Sequence, residues 1–278
     1  MVYIPPFYYR REMSGNNQLF YVSDKQFEGV QLHPGSGKYI SRYPVSQNNK
    51  SVSGGAITNQ TTYDSVRSYA SGKTGTWWLF DGPAISAIQI LYLIEFADLY
   101  SQNLIGFGCG SSPISTTGAT DIMIYHTGRV SGDVSQNSQV QYRWIEQPYA
   151  NFVQCIDGMA KDENGVLYIC NTPSNYSSSI TENYESTGIE QPGGVDFSTG
   201  LSLVDGYEWL MFPTTVGGSS STFTTDVSYN GGSGVRAVGM GGNYTNGARD
   251  GMFAWYGHEG FSVNQYYCFK LCFKEAEQ

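Results

Sequence analysis

The sequence predicts an α+β fold made of mixed short β-strands, two helices and long loops. Short aromatic and β-branched runs alternate with segments rich in Gly, Asn and Ser, which is typical of strands joined by turns. Gly accounts for 34 of the 278 residues, well above its usual share of roughly 7%. Charged residues make up only 14%, against roughly 25% in an average domain. We therefore expect a loop-rich, β-leaning chain, and 278 residues allow one large domain or two small ones.

The N-terminal stretch, residues 3–40, has the composition of strands and turns. Residues 7–10 and 19–22 are short aromatic runs that favour strands. The segment His-Pro-Gly-Ser-Gly that follows at 33–37 predicts a loop.

Two helices are expected between residues 61 and 102. Thr61 or Thr62 can cap the first helix, which carries Tyr63, Val66, Tyr69 and Ala70 on one side and ends near Gly72.

The second helix is predicted over residues 83–102. Asp81 supplies an acidic cap and Pro83 lies in the first turn. Apolar residues occupy nearly the whole circumference of this helix, so we expect it to be the buried central helix of the fold.

The rest of the chain before the C-terminal region divides into a strand-rich and a polar stretch. In the first, strands are predicted at residues 121–125, 139–144, 151–156 and 166–170, with a turn at Asp162-Glu163-Asn164-Gly165. In the second, residues of about 172–234 are rich in Ser, Thr, Gly and Tyr, and 207–212 is the one obvious apolar strand. We expect this second stretch to consist of long loops inserted in the scaffold.

Charge and hydrophobicity narrow the classes of partner. The net charge is −9 with 15 basic residues scattered along the chain, whereas nucleic-acid affinity rests largely on Lys and Arg that neutralise phosphates. The longest apolar run, residues 85–100, is shorter than the roughly 20 residues that a bilayer requires and contains Glu95 and Asp98. No secretory signal is visible at the N-terminus. We expect a soluble protein made in the cytoplasm, with no nucleic-acid partner and no membrane insertion.

Five cysteines form an odd set without Cys-x-x-Cys spacing. Cys155 and Cys170 can face each other across the hairpin that turns at Asn164-Gly165, and whether they pair stays open. Buried free thiols are the alternative, and the usual state of such residues.

Catalytic and metal-binding motifs are sparse. The sequence has three histidines and lacks the His-Glu-x-x-His, Gly-x-Ser-x-Gly and phosphate-loop patterns. Three weaker patterns stay open: His258-Glu259 as a metal pair, calcium near Asp157, Asp162 and Glu163, and a sugar-reading loop at Gln191-Pro192-Gly193. Each is also an ordinary loop or turn, so we expect no catalytic residue, no metal and no cofactor.

The C-terminal region, residues of about 236–273, combines strand segments with residue types common in recognition surfaces. Tyr provides rigid amphipathic contact area, while Asn, Ser and Gly provide adaptable hydrogen bonds. Tyr244, Asn246, Tyr256 and His258 fit that description. The alternative is that Tyr and Gly simply occupy strand faces and turns.

The order of these parts resembles the C-type lectin fold in the branch of formylglycine-generating enzymes and the variable proteins of diversity-generating retroelements. The resemblance rests on the N-terminal aromatic strand, the two helices, residues 142–151 and the final Gly-Gly-Asn-Tyr segment at 241–244. The start at residues 3–9 and Leu-Ile-Glu-Phe-Ala at 93–97 are similar to phage tail or virion proteins of gut bacteria. Phe152 and Cys155 stand where relatives tend to place Trp, and Lys270 where they tend to place Arg.

The resemblance implies a single, rigid C-type lectin-like domain over residues 1–278 that presents C-terminal side chains to a bacterial cell-surface receptor, protein or glycan. Gly241, Gly242, Gly247, Phe253 and Trp255 would be scaffold. The expected ligand-binding residues are Asn243, Tyr244, Asn246, Arg249, Asp250, Tyr256, His258 and Glu259.

Enzymatic activity of this branch requires two cysteines just after the Asn-Tyr segment, and residues 245–250 contain none. We therefore expect no enzyme but a receptor-binding protein of the virion, in a tail or surface appendage, that contacts other virion proteins. Multivalency favours a homo-oligomer, with a trimer as the expected form. The alternatives are a structural virion protein that uses the fold only for assembly and, less favoured, an oxidase or hydrolase.

Overall fold

A nearly closed, barrel-like β-sheet dominates the computed structural model, which describes residues 1–47, 49–222 and 224–275. Strands hold 34% of the residues and helices 14%. The strands are β1 (Val2–Ile4), β2 (Tyr8–Ser14), β3 (Asn17–Ser23), β4 (Gln31–Leu32), β5 (Lys38–Ile40), β6 (Thr76–Leu79), β7 (Gly128–Arg129), β8 (Val140–Tyr142), β9 (Ile145–Glu146), β10 (Val153–Lys161), β11 (Val166–Ile169), β12 (Glu185–Glu190), β13 (Gly194–Leu201), β14 (Pro213–Val216), β15 (Val227–Asn230), β16 (Arg236–Met240), β17 (Trp255–Gly257), β18 (Tyr267–Cys268) and β19 (Leu271–Lys274). The helices are α1 (Tyr63–Ser71), α2 (Gly82–Phe96) and α3 (Ser101–Leu104).

The predicted α+β, C-type lectin-like fold is wrong, because the structure is mostly β and no such fold is identified. The main sheet runs in the order β12, β11, β10, β16, β17, β15, β13 and β14, with β18 beside β10. Four of these strands lie within residues 172–234, which the sequence predicts to be inserted loops. Their buried positions carry residues such as Thr187, Ile189 and Ser198, so their hydrophobic alternation is weak. This polar stretch is part of the scaffold.

Three smaller sheets surround the main one. A four-stranded sheet has the order β1, β5, β19 and β6, and three-stranded sheets join β3, β2 and β4, and β7, β8 and β9. The largest apolar cluster lies where α2 packs against the main sheet, with Ile85, Tyr92, Ile156 and Trp255 among its members. α2 is therefore the central helix, as the sequence predicts.

Local capping signals determine where the helices begin. Oγ1 of Thr62 accepts a hydrogen bond from the backbone N–H of Ser65 at 3.1 Å, and Oδ1 of Asp81 accepts one from that of Ala84 at 2.8 Å. Tyr69, predicted on the same side of α1 as Tyr63 and Val66, is 42% exposed, whereas those two residues are buried. α2 is also shorter than the predicted 83–102, because Ala97 adopts a left-handed conformation that ends the helix.

Two predicted strands are absent from the described residues. In the segment 207–212, Leu210, Met211 and Phe212 are buried, but the segment forms no strand. Residues 121–125 form the end of a 3-10 turn, Ala119–Ile122, and an exposed loop. Apolar composition alone cannot separate a strand from a buried irregular segment or an exposed contact loop.

Candidate ligand-binding surface

The predicted ligand-binding residues lie in the connection between β16 and β17, on β17 itself and directly after β17. Within this connection Gly247–Arg249 forms a single 3-10 turn. The backbone N–H of Gly247 donates to the carbonyl of Gly110 at 3.0 Å, and the side chain of Gln102 donates to the carbonyl of Gly247 at 3.1 Å. These contacts tie the connection to the scaffold.

Three of the eight residues are buried, whereas the sequence analysis expects all eight to be presented to a ligand. Tyr256 is 2% exposed, Asp250 0% and Asn243 9%. Tyr256 lies on β17, between β15 and β16, and its ring packs into the second apolar cluster. Phe253 and Trp255 are buried, as predicted for scaffold residues.

The buried residues form a hydrogen-bond network beneath the connection. The Tyr256 hydroxyl donates to Oδ1 of Asp250 at 3.2 Å and accepts from the side-chain amide of Asn246. Burial raises the pKa of Asp250 well above its usual value. Burial, with Asp250 beside it, also raises the pKa of Tyr256. This buried network holds the connection between β16 and β17 in one conformation.

A second buried carboxylate, Asp226, supports the end of the same connection. It accepts a hydrogen bond from the backbone N–H of Phe253 at 2.8 Å. Burial raises its pKa to about 7.

Three of the predicted ligand-binding residues remain at the surface of the connection: Tyr244, Asn246 and Arg249, which we call the C-terminal platform. Tyr244 and Asn246 are half-buried and Arg249 is exposed. The Tyr244 ring packs edge-on against Phe152, with centroids 5.8 Å apart, and lies 5.3 Å from the ring of Tyr266. The platform thus combines a supported aromatic ring, an amide and a guanidinium, groups suited to stacking and polar contacts.

His258 and Glu259 directly follow β17 and lie beside Tyr229. His258 stacks on Tyr229 with centroids 3.9 Å apart, and its Nε2 is 3.8 Å from Oε1 of Glu259. Burial, with the cations of Lys161 and Arg236 nearby, lowers the pKa of His258 to about 4. The ring is therefore neutral at pH 7.

Several residues of the weaker patterns are buried or already have partners within the protein. Asp157 is buried and paired with Arg67, 2.7 Å from Oδ1 to Nη2, while Asp162 accepts hydrogen bonds from its own turn. Gln191 is 1% exposed. No group of three His, Cys, Asp or Glu side chains able to hold a metal occurs in the part of the chain that the structure describes.

A close His–Ser pair and the five cysteines also lie in the interior. His33 Nε2 lies 3.2 Å from the Ser86 hydroxyl, yet the two residues are 1% and 0% exposed, so this contact offers no substrate site. All five cysteines are free and buried, Cys155 and Cys170 included. No helix among the described residues is long and apolar enough to cross a bilayer.

An aromatic row that sequence reasoning missed crosses the four-stranded sheet. Tyr3, Tyr39, Phe273 and Trp77 are register partners on successive strands. Their ring centroids are 4.8, 5.8 and 4.7 Å apart in that order, and Tyr3 is 48% exposed. The individual aromatic residues are visible in the sequence, but strand order and register are not.

Neither the protein-family models nor the curated proteins that were compared with this chain include a match to it.

Proposed function

We propose that the chain is a non-enzymatic, phage-type receptor-binding protein that contacts a bacterial surface molecule through the C-terminal platform. The supporting observation is the arrangement of Tyr244, Asn246 and Arg249 above the buried network of Asp250 and Tyr256. A surface fixed before binding loses little conformational entropy on contact. The similarity of residues 3–9 and 93–97 to phage tail proteins supports a role in the virion.

The test measures adsorption of labelled protein to a panel of gut bacterial strains. The double variant Tyr244→Ala, Arg249→Ala should lose binding to every strain that the unmodified protein binds. A matched control replaces an exposed aromatic and an exposed cation elsewhere, Tyr69→Ala with Lys25→Ala. Melting temperatures of both variants should stay close to that of the unmodified protein.

Two results would contradict the assignment. Undiminished adsorption of the platform variant would remove the platform from the contact. If the double variant Tyr3→Ala, Trp77→Ala lost adsorption while the platform variant kept it, the aromatic row would be the binding surface. Binding to no strain would contradict the receptor-binding function itself.

A second candidate function is assembly within a virion. It is favoured by one specific observation, the exposed apolar residues Ile122, Ile124 and Tyr125, which are 74%, 80% and 72% exposed.

A further inference from the structure

The loop of residues 122–125, which we call the apolar loop, carries the two most exposed large aliphatic side chains of the described residues, Ile122 and Ile124. Its sequence is Ile-Met-Ile-Tyr, and Trp144, 39% exposed, lies beside it, with its backbone N–H donating to the carbonyl of His126 at 2.8 Å. Single exposed apolar residues are common on proteins, but a contiguous exposed group marks a contact site.

The apolar loop is held rigidly at its base. Glu146, which is 0% exposed, accepts hydrogen bonds from the backbone N–H groups of Gly118 and Thr120 at 2.9 and 3.0 Å. Asp121 is paired with Arg42 at 3.0 Å and accepts a hydrogen bond from Ser53. The exposed side chains are therefore presented in a fixed arrangement, which lowers the entropy that binding must remove.

An apolar groove of about 420 Å³ is lined in part by the hairpin of β8 and β9. Its lining includes Val2, Pro5, Ile88, Leu91, Ile94 and Ile145. The hairpin of β8 and β9 links the two features, because Gln141 donates to the carbonyl of Tyr125 at 2.7 Å while Arg143 lines the groove. Ile94 is 47% exposed inside the groove.

A second copy of the chain is the occupant that fits this groove, because each copy carries both an exposed apolar loop and an apolar groove, and charge does not oppose contact at these two places. The chain carries a net charge of −9, so two copies repel each other over most of their surfaces. In the groove, however, Glu95 is neutralised by Arg143 at 2.9 Å, and at the loop Asp121 is neutralised by Arg42. Loop and groove together form a neutral, apolar pair of contact surfaces on an acidic protein.

The geometry points to self-association in which the apolar loop of one copy enters the apolar groove of a second copy. Because loop and groove flank the same hairpin, a two-fold axis near that hairpin allows both copies to exchange the contact. This inference goes beyond the proposed function, since it uses no residue of the C-terminal platform.

The first test is the oligomeric state of the full chain, measured by sedimentation velocity and light scattering over a series of concentrations. Ile124→Asp in the loop and Ile94→Asp in the groove should each raise the dissociation constant of the oligomer at least about tenfold, because each places an unpaired carboxylate in an apolar contact. Phe27→Asp, at a residue 49% exposed elsewhere, should leave it unchanged. A monomer at every concentration, or an equal effect of all three variants, would overturn the proposal.

The second test identifies which surfaces meet. Ile124→Cys and Ile94→Cys are prepared separately, one with a size tag, mixed and treated with a short bis-maleimide. The native cysteines are buried, so only the introduced thiols should react. A tagged–untagged cross-link only in the mixture supports loop-in-groove contact. A cross-link between two Ile124→Cys copies, or no cross-link at all, contradicts it. Adsorption to cells is measured separately, so failure of self-association can be told apart from failure of receptor binding.

Discussion

The hydroxyl oxygen of Tyr256 lies 3.2 Å from Oδ1 of Asp250, and neither residue is more than 2% exposed. This pair joins the interior of the main sheet to the connection that carries the C-terminal platform. Tyr256 and Asp250, which the sequence analysis expects to contact a ligand, thus lie beneath the residues that remain at the surface and support them. Their substitution should alter stability first and binding only through the shape of the connection.

Tyr256→Phe removes the hydroxyl and leaves Asp250 and the amide of Asn246 without this partner. The free energy of unfolding should fall by about 1–3 kcal/mol, the usual cost of a buried polar group that loses its hydrogen bond. Urea denaturation measures the change. Tyr69→Phe, on the exposed side of α1, should change it by less than about 0.5 kcal/mol, and an equal effect of both variants would contradict the network.

Gly242→Ala should destabilise the protein by more than about 2 kcal/mol, because the added methyl group collides with a buried neighbour. A Cβ atom there would lie 1.5 Å from Oδ1 of Asp250, and the backbone φ is +76°. Gly188→Ala is the matched control, with φ of +68° and no atom within 4 Å of its Cβ position.

The control variant isolates the cost of left-handed backbone, about 1–2 kcal/mol. Thermal unfolding of both proteins gives the difference. If Gly188→Ala proved as damaging as Gly242→Ala, the close packing of Asp250 against the connection would be refuted.

Asp226 should make stability depend on pH. Its pKa in the folded protein is raised to about 7 from an ordinary value of 3.8, so the folded state binds more protons than the unfolded chain between these values. Stability from this group is therefore lost as pH rises from about 4 to about 7. Asp226→Asn should remove that component.

Urea denaturation of both proteins at pH 5 and pH 8 measures this effect as a difference. The comparison with the variant is needed because His258, whose pKa is lowered to about 4, acts in the opposite direction below its unfolded pKa of about 6.5. Identical pH dependence in the two proteins would show that Asp226 is not a buried, uncompensated acid.

Local signals were sufficient to predict where α1 and α2 begin but not the sheet. Thr62, Asp81 and Pro83 act on neighbouring backbone groups, so their effects can be inferred from adjacent residues. The strands between residues 185 and 230 are polar and receive their burial from partners far away in the chain. β15, for example, pairs with β17 and β13, a relationship that no local pattern encodes.

The candidate site was predicted only in part for the same reason. Tyr256 and Tyr244 are the same residue type in similar sequence surroundings. Tyr256, however, lies on a strand with neighbouring strands on both sides, whereas Tyr244 lies in a connection. Only the register Tyr229, Tyr256 and Gly239 reveals that Tyr256 is enclosed. The apolar loop was misassigned because its residues resemble those of a buried strand.

Site-specific masking of the C-terminal platform tests the central claim most directly. Ala248 is exposed within the turn that carries Arg249, and the native cysteines are buried, so Ala248→Cys accepts a maleimide–polyethylene glycol chain selectively. Adsorption of the masked protein to a strain that binds the unmodified protein should be abolished. The same label on Lys25→Cys should leave it intact; equal adsorption of the two labelled proteins would contradict a receptor contact at the platform.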